Sequence, residues 1–311
     1  MSMKSSKKST SSFRPLLMAN WKMSLLHSEA TRVAKTFVKM STSLAEDVDL
    51  IICPTFTSLS AVGRVLQDTH IALGAQDVFW EEKGSYTGEV SVAQLMELGV
   101  THVILGHSER RQHVGETNDI VNRKLLAVVR HGLTPILCVG ETTEERRTGQ
   151  QDRIVSEQIR RAFQNVRPPS GNQQFVVAYE PIWAIGSGEP CDPQEAVRMA
   201  EVIHYALLEL YDEHVLRDTI RITYGGSVTA VNVRSYIGPT AMHGALVGGA
   251  SLDPDSFLAM TEAVAPRDVF VASARVPHKH SSTNAQRHQQ KQRRVFSQRR
   301  RTQTRSRRTK K

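Results

Sequence analysis

Eight short apolar runs punctuate this chain, and an amphipathic stretch follows each of them. The runs cover residues 16–22, 48–53, 71–75, 101–105, 134–139, 174–180, 220–224 and 241–247. Within them apolar residues are nearly continuous, with no polar side chain at every second place. That pattern predicts strands buried on both faces. Between them, apolar residues return at helical spacing. Ala30, Val33, Ala34, Phe37 and Val38 share one face after the first run. Comparable helical stretches cover 59–66, 91–98, 120–129, 152–163, 193–211, 231–236 and 255–263. Strands alternating with helices make an α/β chain with a parallel sheet. Eight such units in about 250 residues predict a closed (β/α)8 barrel. An open, doubly wound sheet is the alternative. It would place a glycine-rich loop after the first strand, and this chain has none there.

The polar and glycine residues crowd just after the runs, where barrels of this kind carry their chemistry. The sixth run ends at Glu180, and Pro181 removes the next ladder donor. Ile182, Trp183, Ala184 and Ile185 follow, then Gly186-Ser187-Gly188. An apolar loop with a glycine tip reads as a lid that folds over the carboxylate and excludes water. Gly225-Gly226-Ser227 follows the seventh run and Gly248-Gly249 the eighth. Two turns with bare backbone N–H groups in those places predict a phosphate cradle, to which the amide of Gly186 would add. Lys22 ends the first run and His107 the fourth. There is no second histidine at ligand spacing and no carboxylate cluster, so a metal site is not expected. One base, one cation, one imidazole and an anion cradle suit proton transfer beside the carbonyl of a small phosphorylated substrate.

Charge is unevenly spread over the 311 residues. Residues 1–14 carry +4, residues 15–265 carry −9 and residues 266–311 carry +14. The organisation read from this is an acidic catalytic domain at 15–265 between two basic extensions. The final segment is rich in Arg, Lys, Gln, Ser and Thr. It cannot bury enough apolar surface to offset its ordering entropy, and both extensions are expected to be disordered. The segment 266–311 is read either as a bland appendage or as an arm for nucleic acid or an anionic surface. Three scattered cysteines, Cys53, Cys138 and Cys191, build no disulfide framework. No apolar run has the length of a membrane span, and the first residues lack the apolar core of a secretory signal. A cytoplasmic protein without membrane insertion is expected.

Five stretches together resemble the triosephosphate isomerase family. They are Asn20-Trp21-Lys22-Met23, residues 104–111 around Gly106-His107-Ser108-Glu109, residues 178–186 around Glu180, Tyr224-Gly225-Gly226-Ser227, and residues 246–252 around Gly248-Gly249. The resemblance spans about 15–265. It implies a TIM barrel that interconverts dihydroxyacetone phosphate and glyceraldehyde 3-phosphate without a cofactor. By that resemblance Glu180 is the base and His107 the neutral electrophile. Lys22 stabilises the enediolate, and Asn20 contacts the substrate beside it. Glu109 supports His107 and Lys22, while Gly186, Ser227, Gly248 and Gly249 hold the phosphate. The loop Gly84-Ser85-Tyr86-Thr87-Gly88 is similar to the family's dimer loop. It implies a C2 homodimer in which the loop around Thr87 reaches a neighbour's pocket near Asn20 and His107.

The chain departs from the family at three places. Glu189-Pro190-Cys191 replaces the more frequent Lys-Thr-Ala after the lid. Asp77 replaces a frequent Asn, and His243 stands where Asp is common. Two other phosphate-handling barrel classes stay open on residues alone. A metal-dependent sugar-phosphate epimerase would need a ligand set, and an aldolase would need a Schiff-base lysine inside the barrel. A scaffold carrying a binding arm is a third reading.

Overall fold

The structure, a computed structural model, describes residues 13–44, 47–185 and 190–266. Most of the two basic extensions and the lid tip at 186–189, Gly186 included, lie outside the described residues. The strands are β1 (Leu16–Asn20), β2 (Asp49–Cys53), β3 (Ile71–Ala75), β4 (His102–Leu105), β5 (Thr134–Val139), β6 (Phe175–Tyr179), β7 (Ile220–Tyr224) and β8 (Gly244–Val247). They pair in parallel, each with its neighbour in sequence, and β8 returns to β1 to close the barrel. The helices are α1 (His27–Ser41), α2 (Phe56–Leu66), α3 (Val92–Glu97), α4 (Ser108–His113), α5 (Asn118–Arg130), α6 (Thr143–Arg147) and α7 (Gln151–Ala162). They continue with α8 (Pro193–Leu208), α9 (Glu213–Thr219) and α10 (Pro254–Val264).

A period of two, hidden in the hydropathy, governs the strands. Leu16, Met18, Ile51, Cys53, Ile104, Ile136, Cys138, Val176, Ala178 and Leu246 point inward and fill the barrel as one cluster. Their neighbours Leu17, Ala19, Leu50, Ile52, Val103, Leu105, Leu137, Val177 and Ala245 point outward into the layer beneath the helices. Both faces are dry, so both sets are apolar. The inward series also fixes the site. Two residues beyond Met18 comes Asn20, beyond Ala178 comes Glu180, and beyond Leu246 comes Gly248. The top of the barrel is therefore reached by the parity that fills its interior.

The elements differ from the sequence expectation at their edges. The stretch expected as a helix over 231–236 forms only a 3-10 turn, Val233–Ser235. The eighth strand starts at Gly244, because Met242 bridges to Ile237 instead of joining the barrel. Three short helices, α4, α6 and α9, were not foreseen. His243 lies just before β8, where its Nδ1 accepts the N–H of Ile222 at 2.9 Å. Burial pushes its pKa down and so favours the neutral acceptor this bond needs.

Two carboxylates, Asp77 and Glu116, meet around a buried cation. Lys124 of α5 is buried, with Nζ 2.6 Å from Asp77 Oδ1 and also bonded to Glu116 Oε1. Arg110 of α4 reaches Asp77 at 2.8 Å. The quartet ties the loop after β3 to the helices beyond β4. Burial raises the Asp77 carboxyl above its ordinary value, while Lys124 opposes that rise. Replacing Lys124 with Met should leave both carboxylates without their main partner, at a cost of about 3–5 kcal/mol near neutral pH. A carboxyl raised in the fold stabilises it below its unfolded pKa, and that stability fades as pH rises. Urea denaturation of both proteins should therefore show a gap that is widest at pH 7 and narrows toward pH 4. A constant gap would mean that the cluster carries no such charge.

Candidate active site

Glu180 follows β6 with its side chain buried, and both carboxylate oxygens are engaged. Oε1 lies 3.0 Å from His107 Nε2, and Oε2 accepts the N–H of Ser108 at 2.9 Å. That N–H belongs to the first turn of α4, whose orphan donors favour a carboxylate. His107 caps the same helix. Its Nδ1 accepts the N–H of Glu109 at 3.2 Å. An Nδ1 that accepts leaves the proton on Nε2, so the ring presents a neutral N–H donor to the cavity.

Lys22 follows β1 with a left-handed backbone, φ 48°. That conformation costs a non-glycine residue on the order of 1 kcal/mol, and the neighbours hold it in place. Asn20 Oδ1 accepts the Lys22 N–H at 3.0 Å, and Gln76 Nε2 donates to the Lys22 carbonyl at 2.9 Å. The Lys22 ammonium then lies 2.6 Å from Glu109 Oε1. Glu109 thus links α4, which carries His107, to the loop after β1.

Asn20, Lys22, His107, Glu109, Glu180, Ser227, Gly248 and Gly249 line one cavity of about 540 Å³ at the C-terminal mouth of the barrel. Its size suits a small molecule. Gly249 begins a 3-10 turn, Gly249–Ser251, so its amide is one of the free donors at a helical start. No Cβ contact would close the space at Gly249. Ser227 Oγ donates to the carbonyl of Ala184 at 3.0 Å, joining the turn after β7 to the apolar loop. That loop begins as a 3-10 turn, Ile182–Ala184, and Ile185 lines the cavity.

Several groups that shape the site escaped sequence reasoning. Glu141, fully buried, accepts from Trp183 Nε1 at 2.8 Å and from Tyr179 Oη at 3.1 Å, and pairs with Arg146 at 3.1 Å. It anchors the start of the apolar loop. Gln76 holds Lys22 by its carbonyl. Gly225 and Gly140 serve by clearance. A Cβ at Gly140 would lie 1.8 Å from the Glu180 carbonyl oxygen, and one at Gly225 would lie 2.8 Å from Glu180 Cγ. The carboxylate stands in a slot that only bare backbone leaves open. The glycine pairs and the Gln76 amide were the only signals for these roles in the sequence, and neither names its partner.

The closed barrel, with a carboxylate, an imidazole and an ammonium on one mouth beside glycine turns, defines a (β/α)8-barrel enzyme. Comparison with known proteins narrows that class. A family model described as triosephosphate isomerase matches residues 15–264. The triosephosphate isomerase of Dictyoglomus turgidum is 43% identical over 244 residues, covering 78% of this chain and 97% of that protein. That of Chloroflexus aurantiacus is 45% identical over 244 residues, 78% of this chain and 96% of the relative. That of Symbiobacterium thermophilum is 41% identical over 251 residues, 81% and 97% respectively. The chain belongs to the triosephosphate isomerase family. It is an isomerase, and the epimerase and aldolase alternatives fall away.

The clearance at Gly225 gives a direct test. Gly225→Ala should displace the Glu180 side chain and lower kcat by about 10²-fold, the usual cost of a misplacement near 1 Å. The fold should survive, as read by circular dichroism. Full activity in the folded variant would show that the slot has slack.

Proposed function

We propose that this chain interconverts dihydroxyacetone phosphate and D-glyceraldehyde 3-phosphate through an enediolate. Glu180 moves the proton between C1 and C2, and the His107 Nε2–H polarises the carbonyl oxygen. The Lys22 ammonium faces the negative charge that develops there, with Glu109 holding it and Asn20 beside it. Amides of Gly186 and of the turns at Ser227, Gly248 and Gly249 hold the phosphate. The observation that carries this reading is the His107 Nε2 to Glu180 Oε1 contact of 3.0 Å within the glycine-walled cavity. A substrate carbonyl entering the cavity competes for that N–H. Taking it frees the carboxylate to face the carbon-bound proton. The apolar loop from Ile182 onward covers the cavity as a lid, keeping water from an intermediate that would otherwise lose phosphate. Glu180→Asp tests the base. The carboxylate retracts by about one methylene, roughly 1 Å, and kcat should fall on the order of 10²-fold with KM little changed. Unchanged kcat in a folded variant would remove Glu180 from the role.

The working form we propose is a C2 homodimer through the loop around Thr87. Met23 and Leu26, 94% and 72% exposed, supply bare apolar surface on the loop that begins with Lys22. We place its work in the cytoplasm, where the buried thiols of Cys53, Cys138 and Cys191 stay reduced. Among the described residues no helix is long and apolar enough to cross a membrane. The +14 of residues 266–311 supports a further reading, a non-specific arm for nucleic acid. Truncation after Pro266 should preserve kcat/KM and dimer mass by light scattering. It should abolish binding to a generic duplex, which in the full chain should weaken steeply with salt. Lost activity would tie the arm to catalysis, and no binding by the full chain would remove the arm's function.

A further inference from the structure

The turn Gly225-Gly226-Ser227 rests on a side chain that is itself held from behind. A Cβ at Gly226 would lie 2.3 Å from Tyr224 Oη, so the phenol of Tyr224 lies directly against the turn. Tyr236 follows the 3-10 turn Val233–Ser235. Its ring stacks on Tyr224 with centroids 4.1 Å apart and planes within 4° of parallel. Its hydroxyl donates to the carbonyl of Cys191 at 2.6 Å, and the N–H of Cys191 donates to Tyr224 Oη at 3.3 Å. Both backbone groups of Cys191 are thereby held by the tyrosine pair. The next residue is Asp192, the N-cap of α8, whose Oδ1 accepts the N–H of Gln194 at 2.8 Å. Cys191 is thus fixed from the helix side as well. The result is a buried frame in which Tyr224 cannot shift without breaking its stack on Tyr236 and its hydrogen bond from Cys191.

We propose that Tyr236 is a positioning residue for the anion-holding turn, acting through Tyr224 and Cys191. This rests on the reading of that turn as the phosphate cradle. Tyr236 does not line the cavity. It acts by fixing the height of the Tyr224 phenol, and so the direction of the amides at Gly226 and Ser227. Burial raises the pKa of both phenols, so each keeps its proton through the neutral range and the frame does not titrate there. The stacked pair also explains why Gly226 must be glycine in a chain with a tyrosine at 224.

The test uses the full chain, Tyr236→Phe and Tyr236→Leu. The probes are glyceraldehyde 3-phosphate, inorganic phosphate as a competitive inhibitor, and unphosphorylated glyceraldehyde. Tyr236→Phe keeps the stack and leaves the Cys191 carbonyl without its donor. KM for the phosphorylated substrate and Ki for phosphate should both rise about tenfold, equally at pH 6 and pH 9. Turnover of glyceraldehyde should stay level, because that substrate makes no use of the turn. Tyr236→Leu removes the stack as well and should raise Ki further. A Ki equal to that of the parent protein would overturn the proposal. So would a loss on glyceraldehyde as large as the loss on its phosphate, since the defect would then lie at the base. If phosphate does not inhibit the parent protein at all, the cradle reading fails before Tyr236 is tested.

Discussion

Closure of eight parallel strands into one barrel is the constraint on which the rest depends. Once β8 pairs with β1, every strand residue must point either into the barrel or under a helix, and no third choice exists. The apolar members of the inward set, from Leu16 to Leu246, make a packed interior. Followed to the strand ends, the same parity brings Asn20, Glu180 and Gly248 to one mouth. Asn20 and Glu180, 160 positions apart in the chain, line one cavity because their strands share a cylinder. The chemistry needs no special fold beyond that; it needs polar residues at the ends of apolar series.

The mouth is then made exact by backbone. Glu180 leans on the N–H of Ser108 and on His107, and both belong to the start of α4. Behind it, Gly140 and Gly225 give up side chains so that β5, β6 and β7 can close around it. Lys22 adopts a costly backbone conformation and is held there by Asn20 and Gln76. These are local strains that a well-packed barrel can hold without losing its fold. The turn after β7 is held from below by a tyrosine pair, and the start of the apolar loop by Glu141.

Most of the barrel was legible in the chain because a strand dry on both faces has an unmistakable composition. Strand ends were legible to within a few residues. The eighth strand was the exception, since Ala241 and Met242 are as apolar as the strand but pair with the preceding turn. The short helices α4, α6 and α9 were missed because each is too brief to show a helical period. Of the site, Glu180, His107, Lys22 and the glycine turns stood out as polar or glycine residues after apolar runs. Gln76, Glu141 and the second role of Gly225 did not. Each of them acts on a partner distant in sequence, and composition holds no record of distance. The same is true of Asp77 and Glu116, whose meeting around Lys124 depends on three separate loops and helices closing together.

The central claim is that a protein carboxylate carries the proton between two carbons of the substrate. The most direct measurement is the conversion of dihydroxyacetone phosphate in deuterium oxide, with the product trapped and its C2 hydrogen read by proton NMR. A carboxylate that takes up the proton exchanges it with solvent in part of the turnovers. The expected product is therefore glyceraldehyde 3-phosphate carrying deuterium at C2 in a substantial fraction of molecules, at no more than one deuterium each. Product formed at full rate with only the original hydrogen at C2 in every molecule would show no carrier that exchanges with solvent, the result expected of direct transfer from carbon to carbon, and would contradict this account of Glu180.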